Sequence, residues 1–426
     1  AHTPAQLKAM VARHINTPVS VVNSPDGTRW LQRDFTAYLH AVAHPAGLHS
    51  HGPADDGHRH HDGQLTVFLN RPHPSVQAME TYFARAAKTF GVPEGLLKSY
   101  GQVQSNWAQV SESMYGSWGI MGLVENKMVQ HITLAAAILK VNAADIKQQA
   151  PRNIEAAAAL LRYFYNQQTG IASEEAKWYA ATCSLTGIPE PALQASLADR
   201  VYAVWEKGNL SISIWGEIID LKPATAEAGF APTEKITDRP LQAELLANGT
   251  PDYNAAVYNL TTCNFNSRPA GAAIRYYFVH YIAVGTYEGT ISWFKNCSAQ
   301  ASAHYVVRNS DGLVTQMVDE EDRAWSQGVT EYNDQGIGVE HEVLATNLAM
   351  WESQPMLASA GRLAADVCNR NNIPKQRRVN NGESGIYGHS DVRATDCPNM
   401  TPQRWTNFLA NVQNSTPSVA TPTLYS

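Results

Sequence analysis

The chain has 426 residues, 44 % hydrophobic and 16 % charged, and its 32 Lys and Arg against 38 Asp and Glu leave a net charge of −6. That apolar content fills more than one core and excludes a wholly disordered chain, while so mild a negative balance offers no broad electrostatic footprint for nucleic acid or an anionic membrane. No apolar run approaches the ~20 residues that a membrane-spanning helix needs. The first residues, Ala1-His2-Thr3-Pro4, read as a mature end left by cleavage after a small residue, or as a trimmed end. Cys183, Cys263, Cys297, Cys368 and Cys397 make an odd set, which suggests that one is used differently from the rest. Together these features point to a secreted protein.

Residues 1–76 form an N-terminal segment with a histidine-dense stretch, including His58-Arg-His-His61 in the Gly/Asp/Pro-rich run 51–63. Such a run can bind metal, but it lacks neighbouring strands or Cys to fix a coordination geometry, so a solvated loop is the expectation. From 77 to 206 the apolar spacing is helical: Met79, Tyr82, Phe83 and Ala86 share a face, Gly91-Val92-Pro93 ends that helix, and Pro93 opens the next over Glu94–Val103. Further helices are predicted at Thr133–Lys140, Ala143–Gln149, Asn153–Tyr165 and Leu193–Trp205. Residues 207–252 are small, polar and proline-marked and read as a linker, and 414–426 as an extended tail.

Residues 253–413 alternate strand and helix, which predicts an α/β unit with a central mixed sheet flanked by helices. Ile274–Ala283 reads as a buried strand, Ala303–Val307 and Leu313–Val318 as a hairpin about Asn309-Ser-Asp-Gly312, Gly336–Leu344 as a strand and Gln354–Arg370 as a helix. This unit holds two His and one Cys of interest: His280 late in the first strand, His389 in Tyr387-Gly-His-Ser-Asp391, and Cys397 before Pro398. Three such donors with an open fourth position suit a catalytic zinc. Taken alone, two His and one Cys spread over 118 positions read better as satisfied core histidines and a buried thiol.

The surrounding text adds a resemblance. Val279-His280-Tyr281, Ser302-Ala-His304-Tyr-Val-Val307, Asn309-Ser-Asp-Gly312, Arg323-Ala-Trp325, Gly336-Ile-Gly-Val-Glu340-His-Glu342 and Gly388-His389-Ser-Asp-Val392 stand in family order. Together they resemble the zinc-dependent N-acetylmuramoyl-L-alanine amidases, which share a fold with peptidoglycan-recognition proteins. The resemblance implies Zn²⁺ on His280, His389 and Cys397, with Asp396 the neighbouring candidate for the last position. It also implies catalytic roles for Glu340, as the acid, and for Thr395, as weakened oxyanion help, and site-wall contacts from His304 and Trp325. Strand alternation independently puts Gly338, Glu340 and Glu342 on one face, and Ile337, Val339 and His341 on the other. A carboxylate aimed at a reacting water can take its proton and later return one; a solvated or ion-paired role is the competing reading, stronger at Glu342.

Departures from the family stand at Thr395, where many amidases carry Lys, at Ala303, where some carry Tyr, and at Ser326-Gln327, where close relatives often read His-Ala. With Cys397 assigned to zinc, Cys263 and Cys297 flank the first strand and are placed to pair, while Cys183 and Cys368 read as buried thiols.

Residues 77–206 carry a second resemblance. Phe83 through Pro93, Leu96 through Gln104-Ser105-Asn-Trp107, Tyr115-Gly-Ser-Trp-Gly-Ile-Met121-Gly-Leu123 and Asn153 through Leu161 are similar to a lysozyme-like lytic transglycosylase. That family's general acid falls at Gln104, and an amide cannot protonate a glycosidic oxygen. A diverged glycan-binding module, with Gln104 as a sugar contact, or a purely structural helical domain is expected. The whole reads as a secreted or envelope protein of a bacterium that hydrolyses the amide between N-acetylmuramic acid and the L-alanine of the stem peptide. The rival is a non-catalytic peptidoglycan-binding or envelope-structural protein of the same fold.

Overall fold

The structure is a computed structural model that describes residues 73–214, 216–224, 250–379 and 382–415, and the backbone of an antiparallel pair, β1 (Val21–Asn23) with β2 (Arg29–Leu31). The His-rich run 51–63, most of the expected linker and the tail beyond Ser415 lie outside the described residues.

Helices dominate residues 76–207. The first, α1 (Val76–Phe90), starts where the Ser75 hydroxyl accepts the Ala78 N–H at 3.1 Å, and it buries Met79, Phe83, Ala86 and Ala87 along one stripe. Pro93 then precedes α2 (Glu94–Ser105). A short ribbon, β3 (Ser117–Trp118) with β4 (Leu123–Val124), leads to α3 (His131–Leu139), α4 (Ala143–Gln148) and α5 (Ala150–Gln167). Ala156 through Leu161 on α5 are all buried, which makes it the central helix against which α1, α3 and α6 (Glu174–Leu185) pack. Next, α7 (Pro191–Lys207) closes the group. The expected helices are present with ends shifted by a few residues. α6 was missed because its Glu-Glu-Ala-Lys start and Thr-Cys-Ser end carry only a weak apolar stripe.

The linker reading needs correction at its start. Residues 209–221 form a hairpin, β5 (Asn209–Ile212) with β6 (Ile218–Leu221), whose Ile219 and Leu221 enter the helical core. Asn106 anchors it, donating from Nδ2 to the Ile212 carbonyl at 2.9 Å. Four-residue strands with a polar turn look like linker text when their packing partner is distant in sequence.

The α/β unit begins with β7 (Val257–Tyr258) and β8 (Phe265–Ser267), then β9 (Tyr276–Ala283) and α8 (Tyr287–Phe294). It continues through β10 (Tyr305–Val307), β11 (Val314–Gln316), β12 (Asp322–Ala324), α9 (Thr330–Gln335) and β13 (Gly336–Leu344). It ends with α10 (Gln354–Arg370), β14 (Gly385–Gly388) and α11 (Pro402–Asn414). The sheet runs β14-β9-β13-β10-β11-β7, parallel except for the β10–β11 hairpin. Every residue of β9 and β13 is buried, as parallel strands covered on both faces require. Tyr277, Val279, Tyr281, Ile337, Val339 and Val343 turn toward α10 and α11; Ile282, Val306 and Met317 turn toward α8 and α7.

That second face is where the helical residues join the sheet. Ile188, Leu193 and Leu197 share one apolar cluster with Ile282, Tyr287 and Ile291. Arg200 on α7 reaches Glu288 and Glu342 at 2.7 Å each, and both carboxylates are buried. The Tyr115 hydroxyl accepts the Thr286 N–H at 3.1 Å, and its ring fills the space where a Cβ on Gly285 or Gly289 would stand. Cys263 and Cys297 form the disulfide that their positions suggested, with Cα atoms 5.4 Å apart; Cys368 is a buried free thiol and Cys183 a half-buried one.

Candidate metal centre and cleft

Register on the sheet builds the site. His280 on β9 lies directly opposite Glu340 on the parallel strand β13, so both side chains leave the same face. β14 pairs with the other edge of β9, Gly388 opposite Val279, and the 3₁₀ turn His389–Asp391 at its end brings the His389 ring to 4.6 Å from that of His280. Cys397 follows on the next loop, held by its N–H donating to the Thr395 hydroxyl at 3.2 Å. The ligand atoms of His280, His389 and Cys397 all lie within 4.8 Å of one another. The neighbouring candidate, Asp396, instead accepts the Tyr281 hydroxyl at 3.2 Å.

Gln327 orients both rings. Its side-chain oxygen lies 2.9 Å from His280 Nε2, and its backbone carbonyl 3.0 Å from His389 Nε2. A carbonyl oxygen only accepts, so each imidazole carries its hydrogen on Nε2 and keeps the Nδ1 lone pair for the cluster. Cys397 Sγ stands 3.6 Å from His280 Nδ1. Bonds of ~2.1 Å to nitrogen and ~2.3 Å to sulfur at a tetrahedral angle demand a separation of about 3.6 Å, so the donors fit a zinc ion. Burial, reinforced by the adjacent His389, holds His280 well below its ordinary pKa and therefore neutral, the form that binds metal.

His280 and Cys397 of the cluster line a cavity of about 540 Å³ that also takes in Glu340, Trp325 and Thr395, with His389 buried behind them. Glu340 is 6 % exposed; its Oε2 has no hydrogen-bond partner among the described residues, and burial pushes its pKa up to about 8. Glu342, two residues on, is instead spent on structure: it accepts the Tyr287 and Asn309 N–H groups and pairs with Arg200. Trp325 donates its indole N–H to Asn266 at 2.8 Å and presents its ring to the cavity.

Two expected contacts lie elsewhere. His304 is fully buried outside the cavity lining: Gly338 donates to its Nδ1 at 3.1 Å, while Arg268 and the Asp322 carbonyl close on Nε2. Its place is in the scaffold beneath the site. Gln104 is also buried, its carboxamide against Gly122, and it does not line the cavity. Conversely, sequence reasoning missed Gln327 as an orienting group, although the Ser326-Gln327 departure marked the place. It also missed the residues of the helical part, Glu112 through Met128, that form the cavity's far side.

Residues 270–400 match the family described as N-acetylmuramoyl-L-alanine amidase. N-acetylmuramoyl-L-alanine amidase A of Achromobacter lyticus is 45 % identical over 89 residues, 21 % of this chain and 49 % of that protein, so the chain spans about half the length of this curated relative. Among solved structures, the Staphylococcus aureus hydrolase AmiA in complex with its ligand is 15 % identical over 42 % of this chain and 94 % of that one, with a TM-score of 0.32. A mutant endolysin from Bacillus subtilis is 20 % identical over 36 % and 99 %, with a TM-score of 0.27. At these scores the two structural likenesses carry no argument about function.

Proposed function

We propose that this protein is a zinc-dependent N-acetylmuramoyl-L-alanine amidase that acts on bacterial peptidoglycan outside the cytoplasm. The observation that carries the reading is the His280–His389–Cys397 cluster, reached from a cavity through His280 and Cys397, with the Glu340 carboxyl on the same sheet face as His280. His280 and His389 through Nδ1, and Cys397 through Sγ, would hold the ion. Zinc bound there supplies Lewis acidity toward a carbonyl oxygen and makes water a better acid.

The chain's own groups do the rest. Glu340, drawn from its raised pKa toward the carboxylate form by a cation held at the cluster, takes a proton from the attacking water as the water oxygen bonds to the lactyl carbonyl carbon. The C–N bond then breaks, and Glu340 delivers that proton to the departing alanine nitrogen. The products are the free lactyl carboxyl of the sugar and a peptide with a new amino terminus. Gln327 keeps both imidazoles in the ligating tautomer, the Thr395 hydroxyl holds the Cys397 turn, and Trp325 presents an aromatic face for substrate.

Residues 77–206 are read as a lysozyme-related helical module without glycosidase activity, residues 253–413 as the amidase domain, and the segment beyond the β5–β6 hairpin as the connector. No helix among the described residues is long and apolar enough to cross a membrane. The test is release of stem peptide from purified sacculi, lost on chelation and restored by zinc. A protein loaded with one zinc per chain that frees no new amino termini would refute the reading and favour a binding or structural role.

A further inference from the structure

The cavity above the metal cluster has two walls from distant parts of the chain. One is the α/β unit, with Trp293, Trp325 and the run 298–302; the other is the turn-and-ribbon segment 112–128 of the helical part, with Glu112, Met114, Tyr115, Lys127 and Met128. This second wall is built firmly. Glu125 N–H donates to the Gly116 carbonyl at 2.8 Å, and Asn126 Oδ1 accepts the N–H groups of Met128 and Val129 at 2.9 Å each. Tyr115 wedges the turn against Gly285 and Gly289. The tip faces outward: Met128 is 54 % exposed and Lys127 is exposed, yet both line the cavity.

The charges there have distinct employments. Glu125 accepts the Thr133 N–H and hydroxyl, and Glu340 belongs to the reacting floor. Lys127 is the one cationic side chain among the described residues lining the cavity, with Glu112 on the same wall. An acidic peptide, unlike a neutral glycan, presents carboxylates to such a cation and aliphatic surface to such a methionine.

We propose that the turn 112–128 is the specificity wall of the amidase cleft, where Lys127 pairs with a carboxylate of the stem peptide and Met128 packs on its aliphatic part. The proposal rests on the amidase reading. It gives the helical part a role in that reaction that needs no glycan groove of its own, in keeping with the burial of Gln104.

The test compares a soluble muramyl peptide bearing free carboxylates with its fully amidated counterpart, using the zinc-loaded full chain. Lys127→Met should raise KM about three- to fivefold on the acidic substrate, the scale of one exposed ion pair. It should leave kcat within about twofold and KM on the amidated substrate unchanged, and Lys127→Arg should restore the wild-type KM. Met128→Ser should raise KM on both substrates. Zinc content and melting temperature serve as controls for a merely structural effect. An unchanged KM in both variants, or an equal loss on the two substrates from Lys127→Met, overturns the proposal. If the wild-type protein cleaves neither substrate, the amidase reading itself fails. Equilibrium binding of the metal-stripped chain to the same two peptides then reads the wall alone, with selective loss of the acidic peptide in Lys127→Met supporting it and no loss overturning it.

Discussion

Replacing Gln327 by Ala removes the side-chain oxygen that accepts from His280 Nε2 at 2.9 Å, but leaves the backbone carbonyl that accepts from His389. The damage is therefore confined to one ligand. His280 is buried, so after the substitution its ring either loses a partner in an apolar surround or turns its hydrogen to Nδ1, where it blocks the metal. Loss of one such supporting bond weakens metal binding by about 10–100-fold, or about 1.4–2.8 kcal/mol. Competition against a chelator of known affinity measures this directly, and the visible spectrum of the cobalt-substituted protein reports the change in the ligand field. Nitrogen-detected NMR of the metal-free protein should show His280 losing its Nε2–H preference while His389 keeps it. Gln327→Glu retains an acceptor and should bind zinc at least as tightly as the Ala variant. Wild-type zinc affinity together with an unaltered His280 tautomer in Gln327→Ala would refute the reasoning.

Glu340→Gln should keep zinc yet lower amidase turnover by about 10²–10⁴-fold, the usual worth of a general acid–base group; a wild-type rate would pass the role to another residue. In the metal-free protein Glu340 titrates near 8 when folded against 4.5 ordinarily, so the folded state holds its proton more tightly and loses stability as pH rises between those values. Urea unfolding should accordingly show Glu340→Gln gaining stability relative to wild type at pH 8 but not at pH 4, by a few kcal/mol in order of magnitude. Arg200→Met removes the cation shared by the buried carboxylates of Glu288, which keeps Arg308 and the Ser196 hydroxyl, and Glu342, which keeps two backbone N–H donors, and should cost about 1.5–3 kcal/mol in denaturant unfolding. Reducing Cys263–Cys297, which closes a loop across 34 positions, should cost roughly 3–4 kcal/mol by the same measurement. The chain should release no reducing or anhydro sugar ends from glycan strands, because Gln104 has no acidic proton and is buried; such ends above background would reveal a second activity.

Much of the site was legible because strands obey a period of two: alternation alone put Glu340 on the opposite face from Val339 and His341, and the sheet keeps that division. The long buried strands and the helices with strong apolar stripes were legible for the same reason. Gln327 was not, since its function depends on a loop returning beneath two rings that lie 47 and 62 positions away in sequence on two separate elements. His304 was misjudged because family position says nothing about which way a buried imidazole turns; here Gly338 and Arg268 claim it. The pairing of the helical part with the sheet was also hidden: Arg200, Glu288 and Glu342 are ordinary surface residues by type, and only their convergence makes them a buried network.

The Tyr115 wedge leaves a mark that can be read without a structure. Gly285 has φ +114 and so has a backbone reason to be glycine, but Gly289 sits inside α8, where glycine weakens the helix and the backbone asks for nothing of the kind. Its one evident justification is the phenol ring 2.5–2.7 Å from where its Cβ would be. An α/β unit that stands alone gains by carrying alanine there, whereas one fused to this helical partner must keep the gap open. Replacing Gly289 by Ala therefore trades a gain in the helix's own stability for a collision with the Tyr115 ring, so the docking of the helical part, and not the helix, bears the cost.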